Sequence, residues 1–96
     1  MYARTSTWSG SPEALEKWAD NVVDKVAAFV AGLSGNAGAV FLVDRENGTA
    51  LTLTLWDSVE AAAASDEFAE RSRAATVAAT GTELTARGRY EVAARV

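Results

Sequence analysis

Ninety-six residues, 49% hydrophobic and 23% charged with a net charge of -4, describe a small globular domain with a modest core, and argue against nucleic-acid binding, whose affinity rests on a basic face. The chain has no cysteine and no histidine, which removes disulfides, Ser–His and Cys–His nucleophiles, the usual haem ligands and ordinary zinc sites, and leaves only a shifted carboxylate or the substrate's own acidity for general-base work. No apolar run approaches the ~20 residues of a transmembrane helix, the N-terminal MYARTSTW lacks a signal-peptide layout, and the missing cysteines fit a cytoplasmic setting.

Residues 2–8, YARTSTW, alternate and are rich in threonine and aromatics, which predicts a first strand. Gly10-Ser11-Pro12-Glu13 then starts a helix: Ser11 is a good N-cap, Pro12 suits the first helical position, and Glu13 favours the positive end of the dipole. Leu15, Trp18, Val22, Val26, Phe29 and Leu33 recur every three or four residues as one apolar stripe, with Glu16, Lys17, Asp20, Asn21, Asp24 and Lys25 opposite. Gly32, Gly35 and Gly38 punctuate the exit, so this helix is expected to stop near Gly32.

AVFLVD (39–44) predicts a second strand, and the polar connector after it ends in Asn47-Gly48, a pair that favours positive φ. Alternation resumes through Trp56, giving a hairpin in which Leu51, Leu53 and Leu55 share one face and Thr52, Thr54 and Trp56 the other. Asp57 or Ser58 caps a second helical region, with Glu60 placed as in a capping box after Asp57. Ser65-Asp66-Glu67 marks another N-cap, so the region is expected as two pieces, about 58–64 and 66–79, ended by Gly81. Its apolar face is weak: alanines, Phe68 and Val77. ELTARGRYEVAARV (83–96) is the last predicted strand, with Leu84, Ala86, Tyr90 and Val92 against Arg87, Arg89 and Glu91.

The order β-α-β-β-α-β over residues 1–96 predicts one α+β, ferredoxin-like domain: a four-stranded antiparallel sheet with helices on one face. Tyr2, Trp8, Phe41 and Tyr90 cannot all point at two helices, so a symmetric homodimer joined sheet to sheet is expected.

Trp56 closes a strand just before the alanine-rich helices. It is read as a pocket wall, with its N–H available to a substrate oxygen, as plain core, or as a catalytic group. Thr52 and Thr54 add hydroxyls to the same face, and Phe68 sits above it. Arg71 and Arg73 cannot share a helix face. Arg73 turned inward suits a phenolate or carboxylate, while outward it pairs with Glu67 or Glu70. Arg87 and Arg89 share a strand face and could bind an anion, but with Glu91 next on that face they are expected to pair within a dimer or with a neighbouring strand. Trp18 is read as core.

LSGNAGAVFLVD (33–44), LTLTLWDSVEA (51–61) and the closing RYEVA (89–93) together resemble the antibiotic biosynthesis monooxygenase family, a branch of the dimeric α+β barrels, over nearly the whole chain. The resemblance implies a dimer and, in its oxygenase branch, oxidation of a phenol or quinol without metal, flavin or other cofactor. It makes Trp56 and Arg73 the candidate catalytic residues, with Thr52, Thr54 and Phe68 around the pocket. Departures are visible: Thr52 stands where the oxygenases place asparagine, Ala62 where some place tyrosine, and Ser65 where many relatives carry histidine. The haem-degrading branch needs a helix histidine and is set aside. The alternatives are a non-catalytic small-molecule binder of the same fold and a purely structural association module.

Overall fold

The computed structural model covers residues 1–96. Strand β1 (Tyr2–Ser9) leads into α1 (Pro12–Asn21), a π-helical turn (Val22–Val26) and α2 (Ala27–Ala31). The hairpin β2 (Asn36–Asp44) and β3 (Thr49–Trp56) follows, then α3 (Val59–Ala64), α4 (Asp66–Thr80) and β4 (Glu83–Glu91). The four strands are antiparallel in the order β2-β3-β1-β4, with the helices on one face: the expected ferredoxin-like arrangement.

Local chemistry sets the boundaries. Ser11 Oγ accepts from the Ala14 amide at 3.1 Å, with Pro12 in the first turn. The second helical region is capped by Ser58, whose Oγ accepts from the Ala61 amide at 3.1 Å, so the Asp57–Glu60 box does not form. Ser65 caps nothing with its side chain; its hydroxyl is used elsewhere, as described below. Gly81 takes φ 76° and closes α4.

The long helix departs from its predicted stripe in an instructive way. The Ala27 amide reaches back to the Val22 carbonyl, an i→i+5 bond that inserts one residue into the turn. The buried face therefore shifts: Leu15, Trp18 and Val22 are inside as predicted, but Val30 replaces Phe29, which is 55% exposed and stacks on Phe68 at 4.8 Å. A β-bulge does the same to β4. It falls between Thr7 and Trp8 of the partner strand, so Leu84 faces the helices with Arg87 and Arg89 while Ala86 faces away. Leu84 then packs on the core, on the face of Arg87 and Arg89 rather than with Ala86 and Tyr90 as the alternation had grouped it. β2 begins at Asn36, earlier than predicted, because the Asn36 side chain bonds Gly38 and the Leu55 carbonyl. β4 ends at Glu91 rather than running to residue 96.

The core is Trp8, Leu15, Trp18, Val22 and Ala50, with Ala19, Phe41 and Leu84 around it. Only sixteen residues are buried, so the single chain leaves much apolar surface uncovered. The register puts Val40, Leu42, Leu51, Leu53, Leu55 and Tyr90 on the sheet face away from the helices. Tyr2, Trp8 and Phe41 lie on the helix side, so of the four aromatics expected to compete for cover only Tyr90 faces outward. No helix is long and apolar enough to cross a membrane.

Candidate functional site

Antiparallel register builds the floor of the site. Arg4, Ser6 and Trp8 of β1 stand opposite Thr54, Thr52 and Ala50 of β3, Tyr2 stands opposite Trp56, and Phe41 adjoins Thr52 from β2. The roof comes from the π-turn region, through Trp18, Val22, Val26 and Val30, and from α4. Helix α4 presents Ala69, Ser72, Arg73 and Thr76 inward; Val77, expected on this face, is substantially exposed. Small and polar residues cannot fill the space above the sheet, and a cavity of about 60 Å³ remains. All five residues singled out in the sequence, Thr52, Thr54, Trp56, Phe68 and Arg73, line it.

Hydrogen bonding in the walls differs from expectation. Trp56 Nε1 donates to Thr54 Oγ1 at 3.0 Å, so its N–H is not available to a substrate oxygen. Trp8 Nε1 donates to Thr52 Oγ1 at 3.2 Å, and the Thr52 hydroxyl donates to the Ser6 carbonyl. Two buried donors have no partner: Trp18 Nε1 and Arg73 Nε. Both belong to residues that line the cavity. Buried N–H groups are almost always paired, so these two donors are candidates to meet an acceptor that enters the cavity. Trp18 is thus both core, as read from the sequence, and wall.

Arg73 combines the two readings its sequence position allowed. Its side chain is only 12% exposed and lines the cavity, while Nη2 donates to Glu70 Oε1 at 2.8 Å. Arg71 points outward and pairs with Glu67 at 2.8 Å.

Arg4 is the residue that sequence reasoning missed. It lies between Tyr2 and Ser6 on the inward face, 11% exposed, with its guanidinium 5.9 Å from the centre of the Trp56 ring. It donates to Ser65 Oγ at 2.6 Å, to the Ala62 carbonyl at 2.8 Å and to Asp66. The signal was available: alternation in YARTSTW puts a lone arginine on the face of Trp8. Burial lowers its pKa, opposed by Asp66 and aided by Arg89 and Arg73.

Arg87 and Arg89 pair with Glu70 and Asp66 of α4, not with a neighbouring strand. Each carboxylate is therefore shared by two arginines. The bond from Arg89, with the charges of Arg4 and Arg89, holds Asp66 below its ordinary range; bonding to Arg73 and the charge of Arg87 do the same for Glu70.

Comparison with known proteins agrees with this architecture. A proposed antibiotic biosynthesis monooxygenase of Deinococcus radiodurans superposes with a TM-score of 0.77 at 17% identity, covering 100% of this chain and 96% of that one. The fold of this chain is antibiotic biosynthesis monooxygenase-like. The Streptomyces coelicolor ActVA-Orf6 monooxygenase, solved with the ligand nanaomycin D, gives 0.74 at 13% identity over 99% of this chain and 89% of that one. A dimeric ferredoxin-like protein from an uncultured marine organism gives 0.77 at 12% identity, covering 99% and 97%. In sequence, two uncharacterised proteins of Mycobacterium tuberculosis, from strains CDC 1551 / Oshkosh and ATCC 25618 / H37Rv, are each 33% identical over 67 residues, 70% of this chain. The match spans only 30% of each of those relatives. No family model matches the sequence.

Proposed function

We propose that this protein is a cofactor-independent monooxygenase acting on a small aromatic phenol or quinol. The observation that carries the reading is the pair of unpartnered donors, Trp18 Nε1 and Arg73 Nε, on residues of a cavity that also holds Trp8, Phe41, Trp56 and Phe68. A hydroxylated ring satisfies both requirements: its face packs on Trp56 and its oxygen accepts from the donors. With Arg73 adjacent, the bound phenol ionises more readily, which substitutes for the base that the cavity lacks. The ring anion then reacts with dioxygen. One oxygen atom becomes a ring carbonyl, the other leaves as water, and the substrate supplies all four electrons. Trp56 and Arg73 orient the ring and hold its charge; Thr52, Thr54 and Phe68 shape the space.

An engineered cavity of about 150 Å³ accepts benzene, so the 60 Å³ here must widen for a ring to enter. Phe68, which lines the cavity and stacks on the half-exposed Phe29 between α2 and α4, is the wall residue with most room to swing on this reading. We read the assembly as a homodimer joined through the uncovered sheet face, in keeping with the dimeric marine relative of the same fold.

Oxygen-electrode traces with monocyclic and tricyclic quinols test the activity. Turnover is expected with wild type and to fall by at least about tenfold in Trp56→Phe and Arg73→Gln. A second reading, a binder without turnover, is favoured by one observation: no carboxylate lines the cavity, and the nearest two are held ionised by arginines. Saturable binding with no oxygen uptake selects that reading.

A further inference from the structure

Helix α4 and edge strand β4 are separated by a groove that runs along the side of the molecule. Near Arg87, Gly88 and Arg89 it is an open concavity of about 250 Å³ with no hydrophobic lining residue. Arg4 and Arg73 belong to both this groove and the aromatic cavity, so the two spaces share a wall. Four guanidinium groups converge here against the two carboxylates of Asp66 and Glu70, in a protein whose net charge is -4. Each carboxylate neutralises one arginine of the two it touches, which leaves a local surplus of two positive charges. Glu91, next along this face of β4, forms none of these ion pairs and does not line the groove. Mutual repulsion is felt within the set, since Arg89 and Arg73 both help to lower the pKa of Arg4. Arg87 and Arg89 are about half exposed and keep N–H groups free for a further acceptor.

We infer that this groove is an oxyanion subsite, and that the aromatic compound entering the cavity carries a carboxylate or phosphate at the groove end. The inference rests on the cavity reading above and adds the substrate class to it. The path is continuous: Arg4 covers the Trp56 ring, shares Asp66 with Arg89, and so joins the site of the ring to the site of the acid. Arginine forks suit both oxyanions, and a partly desolvated groove strengthens the contact.

Calorimetric titration with 2-naphthoate, 2-naphthyl phosphate and neutral 2-naphthamide tests the subsite on the intact protein. Either anion should bind about tenfold more tightly than the amide, and the tighter of the two names the group. Arg87→Gln/Arg89→Gln, at exposed positions where folding is not at stake, should abolish that preference and leave amide binding unchanged. Glu70→Gln should increase it. Equal binding of anions and amide overturns the subsite while the aromatic cavity stands, as does an anion preference that survives in the double variant. Failure of all three compounds to bind overturns both.

Discussion

Trp56 and Thr54 are bonded to each other, Nε1 to Oγ1 at 3.0 Å, two residues apart on the same face of β3. The tryptophan that marks the site thus spends its only donor within the wall, and the free indole N–H belongs to Trp18. Trp18→Phe should therefore cut the preference for a phenol over the ring lacking the hydroxyl by several-fold, leaving the share that Arg73 Nε supplies. Trp56→Phe should weaken both ligands alike and keep the preference. Fluorescence or calorimetric titration of the ligand pair decides it, and a preference unchanged in Trp18→Phe removes Trp18 from the site.

Most of the fold was legible because its signals are local. Ser11-Pro12-Glu13, Gly81 and the two-residue alternation of β3 each act over a few residues, and each appears where it was read. The two errors of phase share one cause: a single inserted residue. The π-turn moved burial from Phe29 to Val30, and the β-bulge moved Leu84 to the helix side; neither leaves a mark in the hydrophobic period, which continues in phase through the insertion. The cavity residues were legible from the shared face of Thr52, Thr54 and Trp56. The donors were not, since the partner of each N–H depends on contacts between residues far apart in sequence. Ser65 shows this: a residue read as a helix cap accepts from Arg4, sixty-one positions away.

Arg4 holds the α3–α4 junction through Ser65, the Ala62 carbonyl and Asp66. Replacing it by methionine keeps the aliphatic packing but strands those acceptors, at a cost of about 2 kcal/mol, less than a fully buried pair because Asp66 is half exposed. For a domain of this size the melting temperature should fall by roughly 10 °C. Arg71→Met, at an exposed i,i+4 pair, should shift it by no more than about 2 °C. Thermal denaturation of both variants provides the comparison.

Two glycines with nearly equal φ make a controlled test of space against strain. Gly35 has φ 79°, and a Cβ there would collide with the Ala61 Cβ; Gly81 has φ 76° with nothing within 4 Å. Gly81→Ala should cost only the left-handed backbone strain, about 1 kcal/mol. Gly35→Ala adds a clash that must push α3 away from the turn, and should cost about 3 kcal/mol or prevent folding. Denaturant melts rank the two, and equal losses would contradict the packing at Ala61.

Asp66 and Glu70 both titrate below their ordinary values of 3.8 and 4.5, for the reasons of pairing given above. The unfolded chain therefore binds protons first as the pH falls, so the stability these groups supply is complete above the ordinary values and is lost through and below the depressed ones. Melting temperature followed from pH 6 to pH 2.5 should drop below about pH 4.5 in wild type. In Asp66→Asn/Glu70→Gln it should start lower and fall less steeply, because the arginines have already lost their partners. Parallel slopes would show that other carboxylates govern the acid limb.

The sheet face away from the helices carries exposed Val40, Leu42 and Tyr90 beside half-buried Leu51, Leu53 and Leu55. A chain that buries sixteen residues gains stability by covering such a face, and a second copy presents the same leucines to it. At micromolar concentration the protein should sediment at twice its 10.1 kDa chain mass. Leu53, at the centre of β3 between Thr5 and Val40, is the position where a charge does most harm, because a symmetric interface brings two copies of it close together. Leu53→Lys should sediment as a monomer and melt at a lower temperature, whereas Glu46→Lys, in the exposed turn between β2 and β3, should leave both nearly unchanged. A wild type that stays at 10.1 kDa, or a Leu53→Lys variant that still pairs, moves the interface off this face.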